Sequence, residues 1–387
     1  MASIVSVANL QGLPSASFRI TLDTMTRLTI HGDLRLNNQS YLPLPSGDPS
    51  DRYPSGNGPD ARPGFPTYGS VFMNTRTGKL EYFKHGSIGG WEYIKSGGAD
   101  GDGEGEEDTS ALYSFTSHTF TNCGQTGDYG PSLSQCKSSY GTDWSNDTSL
   151  FNMNVQGIQR WTVPETATYE IEVRGATGLA YSSGARRGYG YSLKGQFALN
   201  KGDIIQIAVG QGGWGAGGSG GGTFVVLDEN NTHTPLIIAG GGGGWDGRYS
   251  YTNGDSHSSE NGKGSSDGYS GGNNGNGGNG PGGNGTAGCG YYTNSNDTRG
   301  HYSFLQGGSQ PSNNSLRGDY NGGGFGGGGG STDDQGSGGG GYSGGAGTAE
   351  NSTGGGGGSY FNTSKGTNRQ NLGNTGSTHG ECKITKQ

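Results

Sequence analysis

Residues 322–360 read GGGFGGGGGSTDDQGSGGGGYSGGAGTAENSTGGGGGSY, and a polypeptide with such a stretch has few ways to fold. Glycine loses more backbone freedom on folding than any other residue and buries no side chain, so ordering these runs demands a dense set of backbone hydrogen bonds. With 87 glycines in 387 residues, 27% hydrophobic and 14% charged, no single aliphatic core can run the length of the protein. Two readings compete: an ordered, backbone-bonded layer and a disordered tether.

Where the glycines fall favours the first. From residue 111 the sequence holds β-type segments, LYSFTSHTF, IQRWTV, TYEIEVRGA, YSLKGQFAL, DIIQIAVG, GTFVVLD and PLIIAGG, with ECKITK at the end. Short strands at this spacing, punctuated by Pro164, Gly175 and Gly202, predict an all-β, antiparallel sandwich. Its expected core is Val163, Tyr169, Ile171, Val173, Phe197, Leu199, Ile205, Ile207, Val209, Phe224, Val226, Ile237 and Ile238. Two strands, QIAVGQGG and LIIAGGGGG, run straight into glycine tracts, and the polypeptide must return after 360 for ECKITK to rejoin a sheet. The glycine region, about 211–222 and 240–375, is then an insertion held at both ends. Glycine tracts can adopt the polyproline II geometry, with three residues per turn and a rise of ~3.1 Å, and bond to one another side by side where only glycine permits close approach. Five glycines span roughly 15 Å in that form, comparable with a strand.

The part before residue 111 divides by composition. Residues 1–45 contain short β patterns; Ile4, Val5 and Val7, with the alternating Leu28, Ile30, Leu34 and Leu36, supply apolar rows that so thin a sheet cannot bury alone. This segment is expected to assemble with other copies, the alternative being a strand docked on the same molecule. Residues 46–68, rich in Pro, Gly and Asp, read as a linker, and 69–97 as a small β unit around the turn Thr75–Gly78, with Leu80, Tyr82, Trp91 and Tyr93 as an aromatic cluster. Residues 98–110 are an acidic, glycine-rich spacer. Asp100, Asp102 and Glu104 resemble the start of a calcium loop, but the other EF-hand positions are missing, so no metal is assigned.

The charge of −8 and the lack of Arg-Gly-Gly repeats argue against nucleic acid as a partner. No apolar run approaches the ~20 residues needed to cross a bilayer, so no membrane insertion is expected, and the start MASIVSVANLQGLPS lacks the basic and long apolar regions of a classical signal. Cys123 and Cys136 close a short loop, read as a disulfide with buried thiols as the alternative; a Cys289–Cys382 bridge is the weaker pairing. Asn-x-Ser/Thr sequons stand at Asn38, Asn146, Asn230, Asn284, Asn296, Asn313, Asn351 and Asn362, as chance would give in so Asn-, Ser- and Thr-rich a sequence; all but Asn38 are kept as candidate N-glycosylation positions. Gly-x-Ser-x-Gly around Ser219, Ser270 and Ser343 lacks the strand–elbow–helix context of a hydrolase, and Gly262-Lys263 lacks the Ser/Thr and helix of a P-loop. The seven histidines show no paired ligand spacing. No catalytic residue and no cofactor is therefore assigned, and the protein is read as non-enzymatic.

Residues 118–245, with HTFTNCGQTGDYGPSLSQC, VQGIQRWTVPETATYEIEVRGATG, LNKGDIIQIAVGQGG, GGGTFVV and PLIIAGGGGG in that order, resemble the glycine-rich domain of the anaplastic-lymphoma-kinase family of receptors and of many viral and microbial proteins. The resemblance implies a tumour-necrosis-factor-like jelly roll carrying inserted polyglycine II helices, with Cys123 and Cys136 matching the family's paired cysteines. Nothing resembles a kinase, so signalling is not carried over. LTIHGDLRLNNQSYLPLPSG and YGSVFMNTRTGKLEYFKHGSIGGWEYI resemble segments of tail-fibre and other structural proteins of phages and aquatic viruses. Together these imply a structural fibre subunit, extracellular or on a virion surface, that assembles with copies of itself. The alternative is an adhesin tip binding a host-surface glycan or receptor through Trp245, Tyr249, Tyr251, Tyr291, Tyr292 and Tyr302, unless those rings only pack the glycine bundle.

Overall fold

The computed structural model describes 46–47, 71–74, 79–84 and 90–93, and then 110–179, 188–215, 217–229, 232–245, 254–281, 285–296, 302–308, 320–332, 335–349 and 352–387. The protein divides into two compact units, Met1–Glu104 and Gly105–Gln387, and the division falls inside the acidic spacer. Ile4, Val5, Val7, Leu28, Ile30, Leu34 and Leu36 lie outside the described residues.

In the first unit, β1 (Ser46–Gly47), β2 (Val71–Asn74), β3 (Lys79–Lys84) and β4 (Gly90–Tyr93) form one sheet in sequence order. β2, β3 and β4 pair antiparallel, with Val71 opposite Tyr82 and Phe83 opposite Trp91. β1 joins β2 in parallel, so the stretch read as a linker contributes two residues of strand at its first positions.

The second unit contains β5 (Ser117–Phe120), α1 (Leu133–Tyr140), α2 (Asp143–Asn146), β6 (Phe151–Asn152), β7 (Ile158–Thr162), β8 (Ala167–Arg174), β9 (Gly190–Leu199), β10 (Ile204–Ala208), β11 (Thr223–Glu229), β12 (Thr232–Ala239), β13 (Tyr320–Asn321), β14 (Ser331–Thr332), β15 (Tyr360–Phe361), β16 (Gly366–Thr375) and β17 (Glu381–Lys386). Two antiparallel sheets dominate, of order β16-β9-β8-β17-β5 and β15-β12-β11-β10-β7-β6. Alternation explains their faces: Tyr169, Ile171 and Val173 of β8 point inward while Glu170, Glu172 and Arg174 stay partly exposed. The inward residues meet Trp161, Ile205, Ile207, Val225 and Ile237 of the other sheet in one core.

Every expected core residue is buried, but not all on one face. Phe224, Val226 and Ile238 point away from the inter-sheet core, and with Ile158 and Ala208 they form a second cluster covered by Tyr291, Phe304, Phe325 and Tyr342 of the insertion. The six-stranded sheet is thus apolar on both faces, because the insertion packs on its outer face as a further layer.

Within that layer most glycines belong to no regular helix or strand, yet they are buried and bonded through the backbone. Successive residues of one tract donate to different neighbours: Gly338 N–H to Thr286 O, Gly339 to Gly355 O and Gly340 to Gly220 O. Three residues after Gly338, Gly341 returns to Cys289, three residues after Thr286. Gly241 donates to Gly340 O and Gly244 to Ser337 O, while Gly357 donates to Gly241 O and Gly354 to Gly244 O, the same step of three run in opposite directions. Space is as tight as the bonding: a Cβ on Gly339 would stand 2.2 Å from Gly241 O, and one on Gly241 would stand 2.3 Å from Gly220 O.

Two helices had no counterpart in the expected strand pattern. α1 is opened by Ser132, whose hydroxyl accepts from Gln135 N while Gln135 Oε1 accepts from Ser132 N, and it is closed by Gly141 at φ 60°. That Ser-x-x-Gln and terminal glycine were the available signal. The expected strand LYSFTSHTF is correspondingly short, regular only over Ser117–Phe120. β16 corrects the insertion's expected end at 375: GTNRQNLGNT is a ten-residue strand, hidden from hydropathy because it is an exposed, polar sheet edge. Bulges interrupt its pairing with β9 between Thr367 and Gln370 and between Asn371 and Gly373, which makes it a poor template for another strand.

Candidate functional site

The outer face of the six-stranded sheet holds the densest arrangement of candidate side chains. Phe304 stacks between Phe224 of β11 (ring centroids 5.2 Å) and Tyr291 (5.4 Å), and Tyr342 stacks on Tyr360 of β15 (4.3 Å). The Tyr291 hydroxyl donates to His233 O at 2.8 Å, tying the insertion to β12. Burial pushes the Tyr291 and Tyr342 phenols well above their ordinary range, so both stay protonated.

Beside this apolar seam the same face turns polar. Arg160 of β7 reaches Asp228 of β11 at 2.6 Å, and Gln206 of β10 donates to the same carboxylate oxygen at 3.1 Å. His233 Nδ1 lies 3.5 Å from the other oxygen. Cross-strand register brings these groups together, since Arg160 stands opposite Gln206 and Asp228 opposite His233. Arg160 and Gln206 share one oxygen of this carboxylate and so tie β7, β10 and β11 together.

The structure sorts the expected contact residues by exposure. Trp245 and Tyr291 are buried at 4% and 0%, which corrects their place among the possible ligand contacts: neither ring presents a face to solvent. Tyr302 is half-buried, and Tyr249 and Tyr251 lie outside the described residues. Tyr292 is 46% exposed, edge-on to Tyr291, and its ring lies where a Cβ on Gly275 would stand, 2.4 Å from Cδ2. Sequence reasoning overlooked Tyr342, Tyr360 and the exposed Trp214; the two tyrosines follow glycine runs directly or after one serine, the one signal that could have marked them.

Cys123 and the α1 residue Cys136 are disulfide-bonded across 13 residues. The Cys289–Cys382 pairing is corrected: they are separate buried thiols, Cys289 in the glycine layer and Cys382 facing the inter-sheet core. Burial raises both thiols, Cys289 to about 12, so neither supplies a thiolate. Asn362 is also corrected as a glycosylation position. It is buried, its amide donates to Pro235 O at 3.0 Å, and its Oδ1 accepts from Ser364. Asn146 and Asn296 are exposed; Asn230, Asn284, Asn313 and Asn351 lie outside the described residues.

His118 of β5 sits among ring edges and faces of Phe120, Tyr140 and Trp144, with centroids 4.4–4.9 Å away, and its buried Nε2 has no hydrogen-bond partner among the described residues. Desolvation lowers its pKa from 6.5 to about 4. The unfolded imidazole therefore binds its proton first as pH falls, and stability should drop between pH 6.5 and about 4, with no further loss from this group below that window. Guanidinium melts across this range should show the slope, and His118→Phe should flatten it; an unchanged slope would assign the acid sensitivity elsewhere.

Among the described residues, no three His, Cys, Asp or Glu side chains are placed to hold a metal ion, and no helix is long and apolar enough to cross a membrane. A shallow depression lined by Asp267, Gly268, Tyr269 and Ala349 has its one carboxylate engaged by Ser265 Oγ and Ala349 N.

No family model matches the protein. It is 35% identical over 98 residues to the leukocyte tyrosine kinase receptor of Mus musculus, a stretch that is 24% of this protein and 11% of the receptor.

Proposed function

We propose that residues 111–387 are a glycine-rich domain of the kind found in the anaplastic-lymphoma-kinase family, a jelly roll carrying inserted polyglycine II helices. The step-of-three bonding carries this reading. In a helix of three residues per turn, successive N–H groups point ~120° apart and every third residue faces the same neighbour, the relation of Gly241 and Gly244 to Gly340 and Ser337. Strands that change sheet along the sequence, β7 to β8 and β9 to β10, support the jelly roll. The partial match to a receptor of that kind agrees with it.

The protein as a whole is a non-enzymatic structural subunit of a fibre, extracellular or on a virion, whose first 45 residues join copies while the glycine-rich domain forms the exposed body. The glycine layer of this body is held through its backbone rather than by aliphatic side chains, which suits a rigid spacer or shaft. Hydrogen exchange tests the helical reading: Gly338–Gly341 and Gly354–Gly358 should exchange as slowly as β8 and β11, and uniformly fast exchange there would return them to tether. Deleting residues 1–45 tests assembly by negative-stain microscopy; undiminished fibres would end that part of the proposal.

The exposure of Tyr292 favours one second reading, a glycan contact. Thr293 adjoins it in sequence, and Asn273 and Asn274 directly precede Gly275, whose carbonyl accepts from Tyr292 N at 2.8 Å; all three are exposed, and a tyrosine face with neutral amides and hydroxyls suits a sugar ring. Selective binding on a glycan array that Tyr292→Ala abolishes is the expected result; no binding by the unmodified protein rejects it.

A further inference from the structure

Asn-Gly is the dipeptide most prone to spontaneous loss of a side-chain amide, because glycine leaves the following N–H unhindered. The Gly nitrogen attacks the Asn Cγ, a new bond forms between them, the Cγ–Nδ2 bond breaks, and ammonia leaves with the proton. Water then opens the cyclic imide at either carbonyl, giving aspartate or isoaspartate, with no change of oxidation state. The peptide must rotate so that the Gly nitrogen can reach the Asn side chain.

Four Asn-Gly peptides of the insertion cannot rotate freely. Gly262 N–H donates to Gly272 O (2.9 Å), Gly275 N–H to Ser343 Oγ (3.1 Å), Gly277 N–H to Thr293 Oγ1 (3.1 Å) and Gly280 N–H to Asn296 Oδ1 (3.1 Å). Three are clamped on the carbonyl side too. Asn261 O meets His257 Nε2 (2.8 Å), Asn276 O accepts from Gly344 N (3.0 Å) and Asn279 O accepts from Gly347 N (3.0 Å). The Asn276 side chain is further held by donating to Asn273 O and accepting from Thr293 Oγ1. Asn261, Asn274 and Asn279 are exposed, so water reaches them and only the fixed backbone stands in the way.

We infer that Asn261, Asn274, Asn276 and Asn279 are latent deamidation sites, closed by the glycine layer and opened by its unfolding, so that time spent unfolded is recorded covalently and obstructs return. Isoaspartate adds a backbone carbon, and this layer has no room for one: even a Cβ on Gly277 or Gly278 would stand 2.2 Å from a neighbouring carbonyl oxygen.

The full-length protein is held in alkaline buffer, native in one arm and unfolded in guanidinium in the other, and each Asn is followed by peptide mapping for aspartate and isoaspartate. The four sites should react at least about tenfold faster unfolded, since a closed site reacts only through the open fraction; equal rates overturn the inference. The refoldable fraction should fall with time unfolded in step with the modification. The variant with all four changed to Gln, whose cyclisation is slower, should keep refolding, and the comparison removes thiol–disulfide exchange because both proteins share it. Equal decay in both would overturn the obstruction. If that variant does not fold, the mapping arms on the unmodified protein still decide the closure.

Discussion

Gly241→Ala should cost more than about 3 kcal/mol, because it forces a methyl into a site with no space to relax. The added Cβ would stand 2.3 Å from Gly220 O and 2.6 Å from Gly221 O, both backbone oxygens that cannot swing aside like a side chain. Moving them would break the ring of bonds in which Gly220 donates to Gly242, Gly242 to Ala176 and Ala176 to Gly221. Gly376→Ala is the matched control. Its Cβ meets only Tyr189 at 3.6 Å, an ordinary contact, so it should stay within about 0.5 kcal/mol of the parent. Guanidinium melts read both. Similar midpoints for the two variants would mean that the layer yields where its geometry says it cannot.

Phe325→Ala should cost about 3–5 kcal/mol, the range for removing a fully buried aromatic ring. Phe325 is 0% exposed and lies in the second cluster. Its ring fills the space that side chains on Gly130 and Gly157 would need, with Cζ 2.4 Å from a Cβ built on Gly157. Its backbone joins the disulfide loop as well, donating to Gly127 O at 2.8 Å, and it ties in the tract after β10 by accepting from Gln211 N at 2.9 Å. The ring therefore pins the glycine layer to the disulfide loop and to the residue that precedes β7. The loss should appear as a lower denaturant midpoint together with faster hydrogen exchange in Gly338–Gly341. A loss below about 1 kcal/mol would show that the layer is anchored elsewhere.

Both predictions rest on features of unequal visibility in the sequence. β7 to β12 and β17 were legible because β-branched and aromatic runs with period two have one strong local solution. The glycine tracts announced their place, since they begin where strands end. The second core was not legible: Tyr291, Phe304, Phe325 and Tyr342 stand among glycines with no period, and nothing local says which sheet face they will cover. For the same reason the sequence alone left Trp245 and Tyr291 open between contact and packing, and their burial decides against contact. β16 escaped notice because an exposed edge needs no apolar residues, and α1 because its eight residues, mostly polar, bury only Cys136.

By itself, then, the sequence determined an all-β body, which strand residues are buried and the requirement that any ordered glycine be bonded through its backbone. The tertiary structure decided which tract bonds to which. Glycine runs are locally interchangeable, so no short-range preference can set their partners; strand ends such as Arg174, Ala208 and Ala239 launch each tract from a fixed point, and rings such as Phe325 fix its depth. Once the tracts are that close, the missing Cβ atoms and the direction of each N–H leave one arrangement that satisfies the backbone.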